Sequence, residues 1–379
     1  MKIAVITAAT NTIPRFRIDM IDEFIRRGAD VVVFGDEQEK KWEDYFHQRR
    51  ILYRSYEVSR NGMNPVKDLQ TQKQLQKLLE LENPDKVFTY QAKPNIYGSI
   101  AAHRVGIKDI YVMMGGLGSV FRSNDIKSRI IGAIVGAEYK YALKFARKVF
   151  FQNHEDVNLF TSRKIVHSDK VVMTRGSGVN LNQFPARPLP EKDVFLFVGR
   201  LVRGKGVLDF LEAARIIKRE YPDTEFNIVG PFDTNPTAVK PIDLEPYING
   251  GIVQYFGEQE NVQPFLERCS CFVLPSYYGE GTPKSALEAM ATGRPVIVAD
   301  AVGCREVVEN NNNGFLVSPK SPKDIATAMK KIITNRTLRQ NMAKKSRMVA
   351  EKKFDVCSVN ETICEVMSID VLCKGSINE

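Results

Sequence analysis

Short apolar runs alternate with helical stretches along this chain, and that alternation restricts its fold more than any other feature. Ile3–Ile6, Val31–Phe34, Lys86–Thr89, Ile110–Met114 and Lys148–Gln152 read as strands. Between them, Ile18–Arg27, Asp68–Leu81 and Ile96–Val105 carry apolar residues at helical spacing. Such an order predicts parallel sheets with helices on both faces. Ligands then belong in the loops at the carboxyl ends of the strands. The pattern resumes with the strand Val194–Val198, the helix Val207–Tyr221, the strand-to-loop transition Ile252–Phe256 followed by Gly257, and the strand Cys271–Leu274. A chain of 379 residues suits two domains. The turn- and Pro-rich stretch Phe184–Pro190 is the place for the boundary between them.

Composition excludes several classes. Apolar residues at 43% and charged residues at 26% suit a soluble globular protein. No stretch approaches the roughly 18–20 apolar residues that span a bilayer. Met1–Thr7 reads as a first strand rather than a signal peptide. Cys269, Cys271, Cys304, Cys357, Cys364 and Cys373 lack paired zinc spacing and are expected to stay reduced, and four scattered histidines argue for no metal cluster. The charge is uneven. Residues 1–185 hold 29 Lys and Arg against 20 Asp and Glu, whereas residues 186–379 hold 25 of each. A basic first half suits nucleic acid, an anionic membrane surface or a polyanionic substrate, and no nucleic-acid module supports the first.

The most informative stretch is Tyr277–Gly293, which follows Cys271–Leu274 directly. Thr282 reads as an N-cap, Pro283 as the first helical residue and Gly293 as the stop. Strand, glycine-bearing turn and helix leave free N–H groups at the positive end of the dipole, where an anion binds. Glu280 lies in the turn and Glu288 on the helix. Carboxylates accept hydrogen bonds from hydroxyls, so the pair suits a ligand that is anionic in its middle and hydroxyl-rich at its ends. Taken singly, Glu280 would be a solvated loop acid and Glu288 an exposed helix residue.

Glu280 and Glu288, with seven residues between them, resemble the E-x7-E signature of retaining glycosyltransferases of family 4. The resemblance extends to Phe197-Val198-Gly199-Arg200-Leu201 with Lys205-Gly206, to Asn227-Ile228-Val229-Gly230 and to Gly293-Arg294-Pro295-Val296-Ile297. It implies an α/β GT-B fold, with two Rossmann-like doubly wound domains facing an interdomain cleft. Residues 1–185 would be the acceptor-binding domain and 186–355 the nucleotide-sugar domain. Residues 356–379 would form a terminal helix returning to the first. Glu280, Arg200 and Lys205 become the catalytic candidates, and Gly199, Gly281, Thr282, Pro283 and Glu288 the donor-binding ones. Arg200 and Lys205 would neutralise a diphosphate, so neither metal nor cofactor is expected beyond the UDP-sugar substrate. As isolated residues they would be surface charges.

The first half is less specific. The loop Ala8–Arg17 lacks the family's glycine pair and ends in Arg15-Phe16-Arg17, either a solvated helix start or a lining for acceptor or phosphate. Tyr56–Pro65, with Arg60, resembles a segment of transferases that extend lipid-linked oligosaccharides. The loop Met113–Val120 holds Gly116, Leu117 and Gly118 where many relatives carry a histidine, and His103 reads as structural. Ile126–Lys148 mixes apolar and basic residues, as a core helix with a basic rim does and as an interfacial helix does. The segment Asp233–Pro246 reads as a variable loop.

The resemblance therefore implies transfer of a hexose or N-acetylhexosamine from a UDP-sugar to a polyprenyl-diphosphate-linked sugar in bacterial capsule, O-antigen or glycan synthesis. It is nearest to N-acetylgalactosaminyl transferases acting on undecaprenyl-diphosphate-linked sugars. A cytoplasmic enzyme, peripheral at the inner membrane face, is expected, with no nucleic-acid partner. The alternatives are a soluble acceptor, a UDP-sugar 2-epimerase, or a non-catalytic nucleotide-sugar-binding subunit.

Overall fold

In the computed structural model, which describes residues 1–59, 62, 64–117, 121, 126–234 and 237–370, the alternation becomes two parallel sheets. The first comprises β1 (Lys2–Ile6), β2 (Asp30–Gly35), β3 (Ile51–Ser55), β4 (Lys86–Tyr90), β5 (Asp109–Met113), β6 (Lys148–Phe151) and β7 (Val171–Met173), in the order β3-β2-β1-β4-β5-β6-β7. The second comprises β8 (Val194–Val198), β9 (Glu225–Val229), β10 (Gln254–Tyr255), β11 (Cys271–Leu274), β12 (Val296–Ala299) and β13 (Gly314–Val317), in the order β10-β9-β8-β11-β12-β13. Ile3 pairs with Val31 on one side and Lys86 on the other, and Phe272 with Leu196 and Val296. Strands buried on both faces explain the unbroken apolar runs. The two-residue period then divides the first sheet between two cores. Ile3, Val5, Val31 and Val33 pack with Ile21 and Phe24, while Ala4, Ile6, Val32 and Phe34 pack with Leu75, Leu79 and Ile100.

The chain divides into one unit of residues 1–177 and 356–379 and a second of residues 178–355. The first crossing thus falls before the Pro-rich stretch, not at residues 185–186. Val179 forms a bridge with Asp355 and its N–H donates to the Phe354 carbonyl (2.7 Å), while Phe184 belongs to the second unit's core. Lys284 Nζ, itself buried, donates to the Gly178 carbonyl (2.7 Å). The helix Val356–Val366 packs on the helix Ile18–Arg26. Val359, Ile363, Cys364, Met367 and Ile369 enter the same core as Ile21 and Phe24, and the Arg27 guanidinium donates to the Ile369 carbonyl (3.1 Å).

Other expectations need correction. β3 and β7 were not anticipated: Arg54 and Ser55 dilute the one, and the other has only three residues. The Ile252–Phe256 run pairs only over Gln254–Tyr255. Asp233–Pro246 is more than a loop. Leu201 bridges to Phe232 and Val202 to Ala238, and the helix Pro241–Asn249 starts where Asp243 accepts from the Lys240 N–H (2.9 Å). Ile126–Lys148 is a helix only to Ala142, and its apolar residues do not share one face. Tyr139, Ala142 and Leu143 are buried, whereas Ile126, Ile130, Ile134 and Tyr141 are exposed.

Trp42, the single tryptophan, packs beside Tyr45 and Phe46 in the first unit and reports on that unit alone. Ile363→Ala should lower the stability of the transition seen by Trp42 emission in urea by about 2–4 kcal/mol. An unchanged midpoint would show that the returning helix adds nothing to that core.

Candidate active site

In the second sheet the chain runs outward from β8 through β9 to β10, then outward in the other direction from β11 to β13. The reversal lies between β8 and β11, and loops leaving adjacent strands in opposite directions open a crevice at their carboxyl ends. The loops there are Gly199–Gly206 and Pro275–Pro283. Gly206, at φ +73°, lets them meet: a Cβ at this position would stand 2.2 Å from the Pro275 carbonyl oxygen. The Tyr277 N–H donates to the Gly204 carbonyl (2.8 Å) across the same junction.

This junction brings Lys205 to Glu280, Nζ to Oε1 at 2.5 Å, with each side chain 14% exposed. The Ser276 hydroxyl donates to the same oxygen (2.9 Å). Burial pushes the Glu280 carboxyl up, but the charge and hydrogen bond of Lys205, the Ser276 hydroxyl and the Arg200 charge outweigh it, so the group sits below its ordinary range. Arg200 is half-exposed, bonds Asp233 Oδ2 (2.6 Å) and lies 5.8 Å from the Tyr278 ring centroid. Both cations called from the sequence therefore rest on carboxylates, one of them Asp233 in the misread loop. Asp233 follows β9, so its position at a carboxyl edge was the available signal.

The helix that follows the glycine-bearing turn starts one residue later than expected. The helix is Lys284–Ala291, with Pro283 at its cap, ψ 109°, and no side-chain capping bond. Pro283 has no side-chain acceptor, but its carbonyl takes the N–H groups of Ala286 (3.0 Å) and Leu287 (3.2 Å), which defines the cap. Gly281, Thr282 and Glu288 are buried, so Glu288 is not an exposed helix residue. Gly303 after β12, at φ +77°, lies so close that a Cβ would stand 2.1 Å from the Gly281 oxygen and 2.4 Å from that of Glu280. Ser276, Lys284 and Gly303 were missed; Ser276 and Gly303 each follow a strand end closely.

The first sheet reverses between β1 and β4, and its edge is rich in hydroxyl and amide groups. Thr10 N–H donates to Asp36 Oδ1 (2.8 Å), the Thr10 hydroxyl meets the Tyr53 hydroxyl (2.9 Å), and the Ala8 N–H donates to Gln91 Oε1 (2.8 Å). Arg17, between two short helices, is 5% exposed with its guanidinium 5.1 Å from the Tyr90 ring centroid. It donates weakly to the Phe16 carbonyl (3.3 Å) and Ser177 hydroxyl (3.4 Å), and its Nε is buried without a partner. Burial lowers its pKa to about 10, with Tyr90 opposing. Arg15 is exposed, with its guanidinium 5.9 Å from the Phe16 ring centroid. Gly116 is exposed and Leu117 packs on the core. Arg60 and Gly118 lie outside the described residues. His103 stacks on Phe145 at 3.8 Å between ring centroids. Among the described residues no group of three or more His, Cys, Asp or Glu is placed to hold a metal ion.

The two parallel sheets are those of the GT-B fold, and the chain is a glycosyltransferase. Residues 180–349 match the family described as glycosyl transferases group 1, and residues 2–153 match the one described as glycosyl transferase 4-like. The chain is 29% identical over 360 residues to the N,N'-diacetylbacillosaminyl-diphospho-undecaprenol alpha-1,3-N-acetylgalactosaminyltransferase of Campylobacter jejuni subsp. jejuni serotype O:2, covering 91% of this chain and 92% of that one. It is 29% identical over 291 residues to the UDP-Gal:alpha-D-GlcNAc-diphosphoundecaprenol alpha-1,3-galactosyltransferase of Escherichia coli, covering 72% of each. The fold is also that of Anabaena Alr3699/HepE, solved in complex with UDP, at a TM-score of 0.76 and 18% identity over 97% of this chain and 100% of that one.

Because the Glu280 carboxyl is lowered on folding, its contribution to stability is complete above the ordinary carboxylate range and is lost as pH falls through the lowered value. Lys205→Met should cost about 3 kcal/mol at neutral pH by leaving a buried carboxylate unpaired. Urea unfolding followed by circular dichroism should show the gap from wild type narrowing under acid. A gap independent of pH would contradict the assignment.

Proposed function

We propose that this glycosyltransferase moves a hexose or N-acetylhexosamine from a UDP-sugar to a sugar carried on a polyprenyl diphosphate, with retention of configuration. The observation that carries the reading is the Lys205–Glu280 pair beside Arg200 at the switch point of the second sheet. An incoming diphosphate draws Lys205 and Arg200 from their carboxylates, and both then stabilise the charge that develops as UDP departs. Glu280, released from Lys205, accepts from sugar hydroxyls, and Glu288 from the ribose. Gly281 and Thr282 meet the sugar or phosphate by backbone. The acceptor hydroxyl attacks the anomeric carbon on the face the diphosphate leaves, the carbon–oxygen bond to phosphate breaks, and the proton passes to the departing phosphate oxygen. The acceptor reading is supported by the diphosphoundecaprenol substrates in the names of both relatives and by the basic first half of the chain. Arg17, a buried cation, is the residue of the first unit suited to the acceptor's phosphate.

Synthetic polyprenyl-diphosphate sugars offered with a panel of UDP-sugars should accept label from one donor. Glu280→Ala and Lys205→Ala should each lower kcat/KM by about a hundredfold or more. Transfer to free sugars only would overturn the lipid acceptor.

The enzyme is further proposed to act as a peripheral membrane protein. Among the described residues no helix is long and apolar enough to cross a membrane. The helix Ile126–Ala142 instead exposes Ile126, Ile130, Ile134 and Tyr141, four, four and seven residues apart and so on one side, with Arg129 and Lys140 exposed nearby. An apolar stripe edged by cations suits an anionic bilayer surface. Ile130→Glu with Ile134→Glu should lower partitioning onto phosphatidylglycerol vesicles about tenfold or more, and unchanged partitioning would remove this helix from the interface.

A further inference from the structure

A second cavity lies in the unit of residues 178–355, at the opposite edge of its sheet from the donor candidates. Its walls are the extended segment 186–190 and one face of the helix Arg336–Lys353, and its volume is about 580 Å³. Segment 186–190 leads into the start of β8, and Gly293, also in the wall, precedes the start of β12. The sheet is parallel, so this is the amino edge, and a strand length of about 15 Å separates it from the loops that carry Arg200 and Glu280.

The lining is one-signed. Arg187, Arg336, Arg339, Lys344 and Arg347 contribute to it, and no acidic residue does. Three of these cations have carboxylate partners outside the lining: Arg187 bonds Glu267 (3.1 Å), Arg347 bonds Glu351 (2.6 Å), and Arg339 pairs with Asp193. Arg336 and Lys344 are exposed and form no such pair among the described residues. Two buried arginines back this lining. Arg339 is 4% exposed, yet its Nε is buried with no hydrogen-bond partner. Behind the wall, Arg294 is fully buried; its Nη2 donates to the carbonyls of Arg187 (3.1 Å) and Pro188 (2.9 Å), while Nε and Nη1 lack partners. Arg336 and Arg339 also occupy the first turn of their helix, which contains no acidic residue. Cations there oppose the helix dipole, a conflict that a bound anion relieves.

We propose that this cavity is a second anion site, which takes the phosphate or diphosphate of a ligand whose apolar part rests on Pro188, Leu189, Pro190 and Ala343. The site does not depend on the donor reading, since no residue is shared. Its volume suits a small phosphorylated molecule, and a phospholipid headgroup presents the same chemistry.

The test uses the full chain saturated with UDP, titrated calorimetrically with inorganic diphosphate and, separately, mixed with phosphatidylglycerol vesicles. Arg336→Glu and Lys344→Glu alter exposed side chains and should leave UDP affinity unchanged, with a melting temperature no lower than that of wild type. Each should weaken diphosphate binding about tenfold, as loss of one charge-assisted contact does, whereas Arg336→Lys retains most of it. Diphosphate binding lost in the Glu variants, with vesicle partitioning untouched, assigns a soluble ligand. Partitioning lost in the same variants assigns a lipid headgroup. Binding of neither probe to the UDP-saturated wild type, or equal binding by wild type and both variants, overturns the site.

Discussion

A carboxylate taken out of water needs a cation or gives up its charge, and the second unit is arranged around meeting that need for Glu280. The sheet order puts the loops after β8 and β11 side by side. Gly206 against the Pro275 carbonyl and Gly303 against the Glu280 and Gly281 carbonyls then close the last few ångströms. A side chain at either glycine would push the loops apart and with them Lys205 from Glu280. Such a pair contributes modestly to net stability, because desolvation offsets much of its attraction. In the proposed mechanism its value lies in being exchangeable. A diphosphate brings the negative charge that can replace Glu280 and Asp233 as partners of Lys205 and Arg200.

The first unit obeys the same sheet logic with a different result. Its switch point gathers Thr10, Asp36, Tyr53 and Gln91 into a neutral-to-acidic hydrogen-bonded edge, and Arg17 lies buried against Tyr90. Two similar folds thus yield one edge where Lys205 and Arg200 rest on carboxylates and one where Arg17 is held by an aromatic ring while Lys93 pairs with Asp68 (2.6 Å).

Much of this was legible in the sequence because it is local. Val194–Val198 and Cys271–Leu274 are apolar runs bounded by turn residues, and both strands have those limits in the structure. Glu280 and Glu288 are tied by the geometry of one turn and one helix. What escaped depends on distant partners. Nothing near Asp233 in sequence announces Arg200, and nothing near Gly303 announces the backbone of Glu280. Which side of the Ile126–Ala142 helix faces inward was not legible for a related reason. Its apolar residues satisfy helical spacing on two sides at once, and only the packing of Tyr139 and Leu143 decides which side is inward. The crossing at Ser177–Gly178 was displaced because Pro-rich composition marks a turn, whereas the boundary is set by Val179 pairing with Asp355.

The central claim is that Lys205 trades Glu280 for phosphate, and UDP affinity in two variants tests it directly. Calorimetric titration should show Glu280→Gln binding UDP at least as tightly as wild type, because Lys205 is then released in advance. Lys205→Met should bind about tenfold or more weakly, having lost a charge-assisted contact. Equal weakening in both variants would contradict the account and reduce the pair to a structural brace.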